Sequence, residues 1–219
     1  MNDMREGKRQ GEAEVEQRMM HYARLLLTIA DASSKRLEEI RLPLHILLEN
    51  RFGELNENQE EMLGAARGAA EAADADMVSL RQLAELELGE LRLRRDRLKP
   101  SELIESLRPM LLAAAGAHRV TLELEIAPLL PAIMGDRARL QEAFAALLRG
   151  AEEGASAGSR VRIVVDRADW AIRFTITEVA TVPASVRWVA AVQMIHAHGG
   201  VVERRADGLS IELPVDDMR

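Results

Sequence analysis

The chain of 219 residues contains no cysteine, so neither a disulfide framework nor a thiolate metal site can be built from it. Only 3% of its residues are aromatic, too few for the stacking platforms that hold single-stranded nucleic acid. Long apolar runs are missing too. None exceeds six residues, as in Met110 to Ala115, far short of the ~20 residues that cross a bilayer. The first residues, Met1 to Glu16, are charged and lack the apolar core of a secretory signal. These absences lead us to expect a cytoplasmic protein with no membrane association. Nor is there an excess of positive charge. Lys and Arg total 29 against 36 Asp and Glu, a net charge of −7, and phosphate contacts require clustered cations. No nucleic-acid partner is expected. The one basic cluster, Arg92 to Lys99, reads as a solvated helix end or linker. Glycine is absent from Ser159 to His198, which becomes informative below.

What is present is mostly helical periodicity. Residues 1–13 are polar and are expected to be disordered. From about Glu14 to Phe52, apolar residues recur at Leu26, Ile29, Leu37, Ile40, Leu44 and Leu47, with Ser33 filling the gap. That three-four spacing predicts one buried stripe on a long helix. Pro43 lies inside it. Residues 53–58 read as a turn. A second helix is expected from about Asn58 to Leu91, with a stripe of Met62, Ala66, Ala69, Ala73, Met77, Leu80, Leu83 and Leu86. Its alanine-rich middle implies close helix approach. Two long helices on a short loop form an antiparallel hairpin. A lone hairpin cannot cover both stripes, so a homodimeric four-helix bundle is expected.

Pro100 opens a second unit. A helix is predicted over about Ser101 to Ala117, with Ser101 as cap. Val120 to Ile126 alternates as a half-buried strand. Asp136 can cap a helix over about Arg137 to Glu153. Two strands follow, Arg160 to Val165 and Trp170 to Thr177. A helix over Ser185 to His198 then ends at Gly199-Gly200. The last hairpin, Val201 to Arg204 with Leu209 to Leu213, turns on Asp207-Gly208, a favoured turn dipeptide. The expected fold class is α+β: a long helical hairpin over 14–92, then a small α/β sandwich over 100–219.

Residues 37–44 read Leu-Glu-Glu-Ile-Arg-Leu-Pro-Leu. This resembles the phosphoacceptor box of sensor histidine kinases, Ser-His-Glu-Leu-Arg-Thr-Pro-Leu. Glu39, Ile40, Arg41, Pro43 and Leu44 stand in register, and Glu38 occupies the histidine's slot. Further landmarks are similar to the same family. Leu86 to Leu91 resembles the close of its second bundle helix, and Gly135 to Leu140 the lead into its asparagine box. Ala197 to Gly200 resembles a helix end, and Ile211 to Pro214 the final strand. Together with the bundle the resemblance spans about Leu26 to Val215.

Where the family keeps its chemistry, this sequence departs from it. The asparagine box, Asn-Leu-Leu-x-Asn-Ala, stands here as Ala146-Leu147-Leu148-Arg149-Gly150-Ala151. Gly150 replaces the asparagine that ligates magnesium. The aspartate that reads adenine falls on Thr177 or Glu178, followed by neither of the box's glycines. The last glycine box is Ser185-Val186-Arg187-Trp188. Glycine lets backbone amides approach phosphate closely, and the larger side chains here block that approach. Only a few residues separate Val179 from Ser185, where the family carries a lid. The resemblance therefore implies a frame without kinase chemistry and no bound nucleotide cofactor.

Five histidines remain. His45 lies seven residues after Glu38, on nearly the same helix face about 10 Å along. It is either a displaced phosphoacceptor or an exposed histidine lining a docking surface. His21 lies far upstream on a different face. His118 precedes a strand. His196 and His198 end a helix, and their spacing of two splays side chains apart, so no metal pair is expected. Glu38 reads as a plain exposed glutamate rather than a phosphohistidine mimic, since a carboxylate has about half the charge of a phosphoryl group. The family's docking surface maps onto Glu38, Glu39, Arg41, Leu42, His45 and Glu49. The resemblance implies a two-component protein of bacterial type, a pseudo-histidine kinase that binds a response-regulator receiver domain or a partner kinase. The alternative is a phosphotransferase working through His45.

Overall fold

In the computed structural model, residues 2–179 and 185–216 are described, without the side chains of residues 2–13 and of Glu152. The chain divides into two compact units, one ending at Leu91 and one beginning at Arg92.

The first unit is a helical hairpin. Helix α1 spans Asn2–Leu48 and α2 spans Glu57–Glu87. The helix thus runs through residues that composition marked for disorder, and it carries straight through Pro43. Helix α2 starts on a complete capping box. Asn56 Oδ1 accepts from the Gln59 amide at 2.9 Å, and Gln59 Oε1 accepts from the Asn56 amide at 3.0 Å. Such a box satisfies two otherwise orphaned donors and contributes about 1 kcal/mol.

The faces that meet inside the hairpin differ from the expected stripe. Ala23 and Ala30 are buried on α1, and Ala70 and Ala84 on α2. Small side chains let the helices approach closely. Leu37 and Leu44 are half-buried, as the stripe requires, but Leu26, Ile29, Ile40 and Leu47 stay exposed. On α2, Met62 is 74% exposed, while Met77, Leu80, Leu83 and Leu86 are half-buried. The apolar stripe of α1 is therefore two adjacent stripes. One faces α2, and the other, at 15, 19, 22, 26, 29, 40 and 47, faces outward. Polar ties add to the hairpin. Arg41 Nη1 donates to Asp74 Oδ2 at 3.2 Å, and Arg81 pairs with Asp31.

The second unit is a helix-on-sheet sandwich. In chain order its elements are β1 (Asp96–Leu98), α3 (Pro100–His118), β2 (Thr121–Ile126), β3 (Ile133–Gly135), α4 (Arg137–Glu153), β4 (Arg160–Ala168), β5 (Ala171–Thr177), α5 (Val186–Ala197), β6 (Val201–Arg205) and β7 (Gly208–Pro214). Five strands form one sheet in the order β2-β4-β5-β7-β6, and β1 and β3 form a small antiparallel pair. Only β2 and β4 run parallel. Helix α4 makes the long connection that a parallel pair requires.

One face of the sheet is apolar. Val161, Ile163, Val165, Ile172, Phe174, Ile176, Leu209, Ile211 and Leu213 are buried. Helix α4 meets them with Leu140, Phe144, Leu147 and Leu148, spaced three and four apart. The Phe144 and Phe174 rings lie 4.5 Å apart at a 55° tilt, an arrangement worth about 1 kcal/mol beyond burial. The opposite face carries ion pairs such as Arg162–Glu125 at 2.7 Å and Arg173–Glu212 at 2.7 Å.

Asp136 caps α4 as expected, its Oδ1 accepting from the Arg139 amide at 3.2 Å. Helix α3, by contrast, begins at Pro100, with Lys99 as the capping residue instead of Ser101. Proline at the first helical position loses no hydrogen bond and has φ preset. The charged segment 92–99 hides strand β1, which is not a linker. The expected turn at Asp207-Gly208 is present. A Cβ on Gly208 would run into the Ile176 carbonyl, so β7 can lie against β5 only with glycine there.

Candidate functional site

The expected docking residues come together on the hairpin. Glu38, Glu39, Arg41, Leu42 and His45 line one open groove of about 650 Å³. Lys35 from α1 and Arg67 and Glu71 from α2 complete its walls. The groove is mixed in charge, with three cations and three carboxylates. Arg67 faces Glu71 one turn on at 3.9 Å, and Arg41 is held by Asp74. Leu42 presents an apolar side chain, 61% exposed, among these charges.

Glu49 lies just beyond the end of α1 and joins the set through His45. Its Oε1 is 3.2 Å from His45 Nε2, and its Oε2 is 2.5 Å from Arg51 Nε. The result is a chain of three groups, Arg51–Glu49–His45, at the end of the groove. The His45 side chain is 61% exposed. Glu49 was on the expected docking list. Arg51 was not, although a cation two residues beyond the carboxylate was there to be read.

In the second unit, the positions that carry magnesium and adenine ligands in the resembling family hold other groups. Ala146 and Gly150 sit one turn apart on α4 and offer a methyl group and a hydrogen. Thr177 ends β5, paired with Gly208. Glu178 adopts φ 66° and turns its Oε2 to accept from the Arg160 amide at 3.3 Å. Ser185 caps α5, its Oγ accepting from the Trp188 amide at 3.2 Å. Arg187 lies in the first turn of that helix, and Trp188 is buried. The residues expected to replace the lid, 180–184, lie outside those described. Three or more oxygen or nitrogen ligands placed to hold a metal ion are not found among the described residues. Neither Ala146 nor Gly150 offers a side-chain ligand to a metal ion.

The best-defined polar cluster in this unit lies around the start of α4. Asp136 is nearly buried. Burial works against its charge, but the amides of Arg94 and Arg139 and the guanidinium charges of both outweigh it. They hold the carboxyl below its ordinary range. The Asp136 amide donates to His198 Nε2 at 3.1 Å, and His198 Nδ1 lies 2.8 Å from the Met194 carbonyl. With Nε2 accepting, Nδ1 is the ring nitrogen placed to donate to the Met194 carbonyl. His198 clips the end of α5 to the β3–α4 junction. His196 is exposed and points elsewhere, so the two histidines do not form a pair.

No family profile matches the chain, and no curated protein sequence matches it. Solved structures do. The histidine kinase AdeS of Acinetobacter baumannii superposes with a TM-score of 0.62 at 16% identity, covering 90% of this chain and 98% of that one. Full-length ShkA, solved with AMPPNP, gives 0.61 at 18% identity over 84% of this chain and 46% of its own. The cytoplasmic segment of the histidine kinase QseC gives 0.52 at 15% identity, covering 64% and 93%. At these identities the likeness establishes the fold. The chain has the histidine-kinase architecture, a helical hairpin followed by an ATPase-type α/β sandwich. No helix among the described residues is long and apolar enough to cross a membrane.

Proposed function

We propose that this chain is a two-component signalling protein without kinase chemistry of its own, which dimerises through its hairpin and docks a receiver domain in the groove around Glu38 and His45. The observation that carries the reading is a contrast. The docking residues converge on one open groove, while the positions for magnesium and adenine carry a methyl group, a hydrogen and side chains engaged with backbone amides.

The dimer is supported by the outward stripe of α1. Val15, Met19, Tyr22, Leu26 and Ile29 are exposed and alternate in steps of four and three. That is the seam spacing of a coiled coil, and Ile40 and Leu47 continue it. A second copy of the chain supplies a matching face.

Two titrations of the purified full chain test the reading. An ATP analogue with magnesium should give no saturable heat, and micromolar binding would overturn the kinase-dead assignment. At least one receiver domain from the same genome should bind, and Arg41→Glu with Leu42→Glu should abolish that binding. Failure of every receiver to bind would redirect the search to a partner kinase.

A second reading has its own observation. His45 is exposed in the groove with a carboxylate on one ring nitrogen. A docked, phosphorylated receiver would then pass its phosphoryl group to His45. This step adds to docking and does not replace it.

A further inference from the structure

We infer that the sheet unit holds a binding site for a small organic acid, a carboxylate on a short apolar body, in the cavity between segment 93–95, the end of α5 and the end of β7.

The cavity has a volume of about 240 Å³, below the ~300 Å³ at which pockets for drug-sized ligands begin. Leu93, Met134, Ala197, Pro214 and Val215 supply its apolar walls, and Arg94, Arg95, His198 and Asp216 its polar ones. It lies away from the positions that resemble a nucleotide site. In the β5–β7 pairing, Ala171 stands opposite Pro214 at this end, and Thr177 stands opposite Gly208 at the other. That length of strand spans about 20 Å.

The walls are fixed before any ligand arrives. The His198 ring is held at both nitrogens, Nε2 by the Asp136 amide at 3.1 Å and Nδ1 by the Met194 carbonyl at 2.8 Å. It also packs against Gly135, where an added Cβ would lie 3.0 Å from its Cδ2. With both nitrogens engaged by backbone, the ring offers the cavity a carbon surface. The Arg94 amide donates to Asp136 Oδ2 at 3.2 Å. The Val215 amide donates to the Trp170 carbonyl at 2.9 Å, and the Asp216 amide to the Ala132 carbonyl at 2.8 Å. A cavity already ordered in this way gives up little freedom on binding.

The charges select the ligand. The one carboxylate on the wall, Asp216, is paired with Arg97 at 3.3 Å. The Arg94 charge is partly offset by Asp136. The Arg95 side chain makes no hydrogen bond or ion pair among the described residues. A planar guanidinium matches a carboxylate through two parallel N–H···O bonds. The apolar walls beside it suit a hydrocarbon body and disfavour a strongly hydrated dianion such as phosphate. Leu93 to Arg95 open the second unit directly after the hairpin unit, so a bound acid ties that opening segment to α5 and β7.

The test follows the backbone amide NMR signals of the isotope-labelled full chain during titration with benzoate and with isovalerate. Saturable shifts are expected at Met134, His198 and Val215. Arg95→Gln should weaken binding about tenfold, equivalent to about 1.4 kcal/mol. Arg95→Lys should recover only part of the loss, because the fork is gone. Both variants alter an exposed side chain, so the fold should survive. Benzyl alcohol, the neutral counterpart of benzoate, should bind about tenfold more weakly than benzoate, and inorganic phosphate more weakly than either acid. No saturable shift at these residues with either acid would overturn the inference. So would unchanged affinity in Arg95→Gln, benzyl alcohol binding as well as benzoate, or phosphate binding more tightly than both acids. Receiver docking stands or falls separately, since none of these residues lines the hairpin groove.

Discussion

The two units solve burial in opposite ways. The sheet unit closes its own core: Phe144, Phe174, Ile163, Ile172 and Ile176 are fully buried, and its second face is a lattice of ion pairs. The hairpin buries alanines within itself and leaves Tyr22, Leu26, Ile29, Ile40 and Met62 in water. A unit that completes its core can stand alone, whereas one that exposes a regular apolar seam is half of something. The polar chemistry divides the same way. In the sheet unit, the Glu178 and Ser185 side chains at the expected site positions serve the backbone. In the hairpin, charged side chains face an open groove.

This contrast can be broken at several points. The largest effect is expected in the closed core. Phe174→Ala removes the partner of Phe144 and should cost about 3–5 kcal/mol, read by denaturant unfolding. The same experiment should leave the dimer formed, because the hairpin does not draw on that core. Next comes the seam. Leu26→Glu with Ile29→Glu should weaken association by about 2 kcal/mol per site or more, read as a shift to monomer in analytical ultracentrifugation. A chain that stays dimeric would dissolve the contrast between the units.

A smaller effect is expected at Asp136. Its folded carboxyl titrates below its ordinary range, because the opposing burial is outweighed by the Arg94 and Arg139 amides and charges. A depressed carboxylate stabilises above its unfolded value, about 3.9, and that stabilisation is lost as pH falls through the folded value. Asp136→Asn should flatten the acid limb of the stability profile and cost about 1 kcal/mol at neutral pH, the usual scale of a cap. The smallest effect is at His45. His45→Ala removes an exposed i,i+4 pair, and such pairs are worth roughly 0–1 kcal/mol. Stability should barely move, which makes the substitution a clean probe of transfer.

The order of elements was legible because its signals are local. The α4 helix, over Arg137–Glu153, follows from a capping aspartate and a three-four apolar repeat. The β6–β7 hairpin follows from Asp207-Gly208. Strands β1 and β3 escaped because three residues carry too little pattern, and β1 lies in a charged run. Which part of the expected α1 stripe meets the sister helix was not legible, because two apolar stripes lie side by side and periodicity does not say which one turns inward. Of the site, the residues that line the groove were implied by the resemblance of 37–44 to the family's phosphoacceptor box. The Arg51 link was not, since it forms across a turn where no helical rule applies. The His198–Asp136 link joins residues sixty-two apart, beyond any local reading.

The strand order has a consequence for crowded solutions. The outermost strands are β2 and β6. One carries Glu123 and Glu125, the other Glu203, Arg204 and Arg205. Open strand margins recruit strangers by backbone pairing, and charge along them discourages it. The sheet thus has two guarded borders, and in the proposed dimer self-recognition is left to the helices. A population of these molecules should stop growing at the pair instead of propagating into fibres.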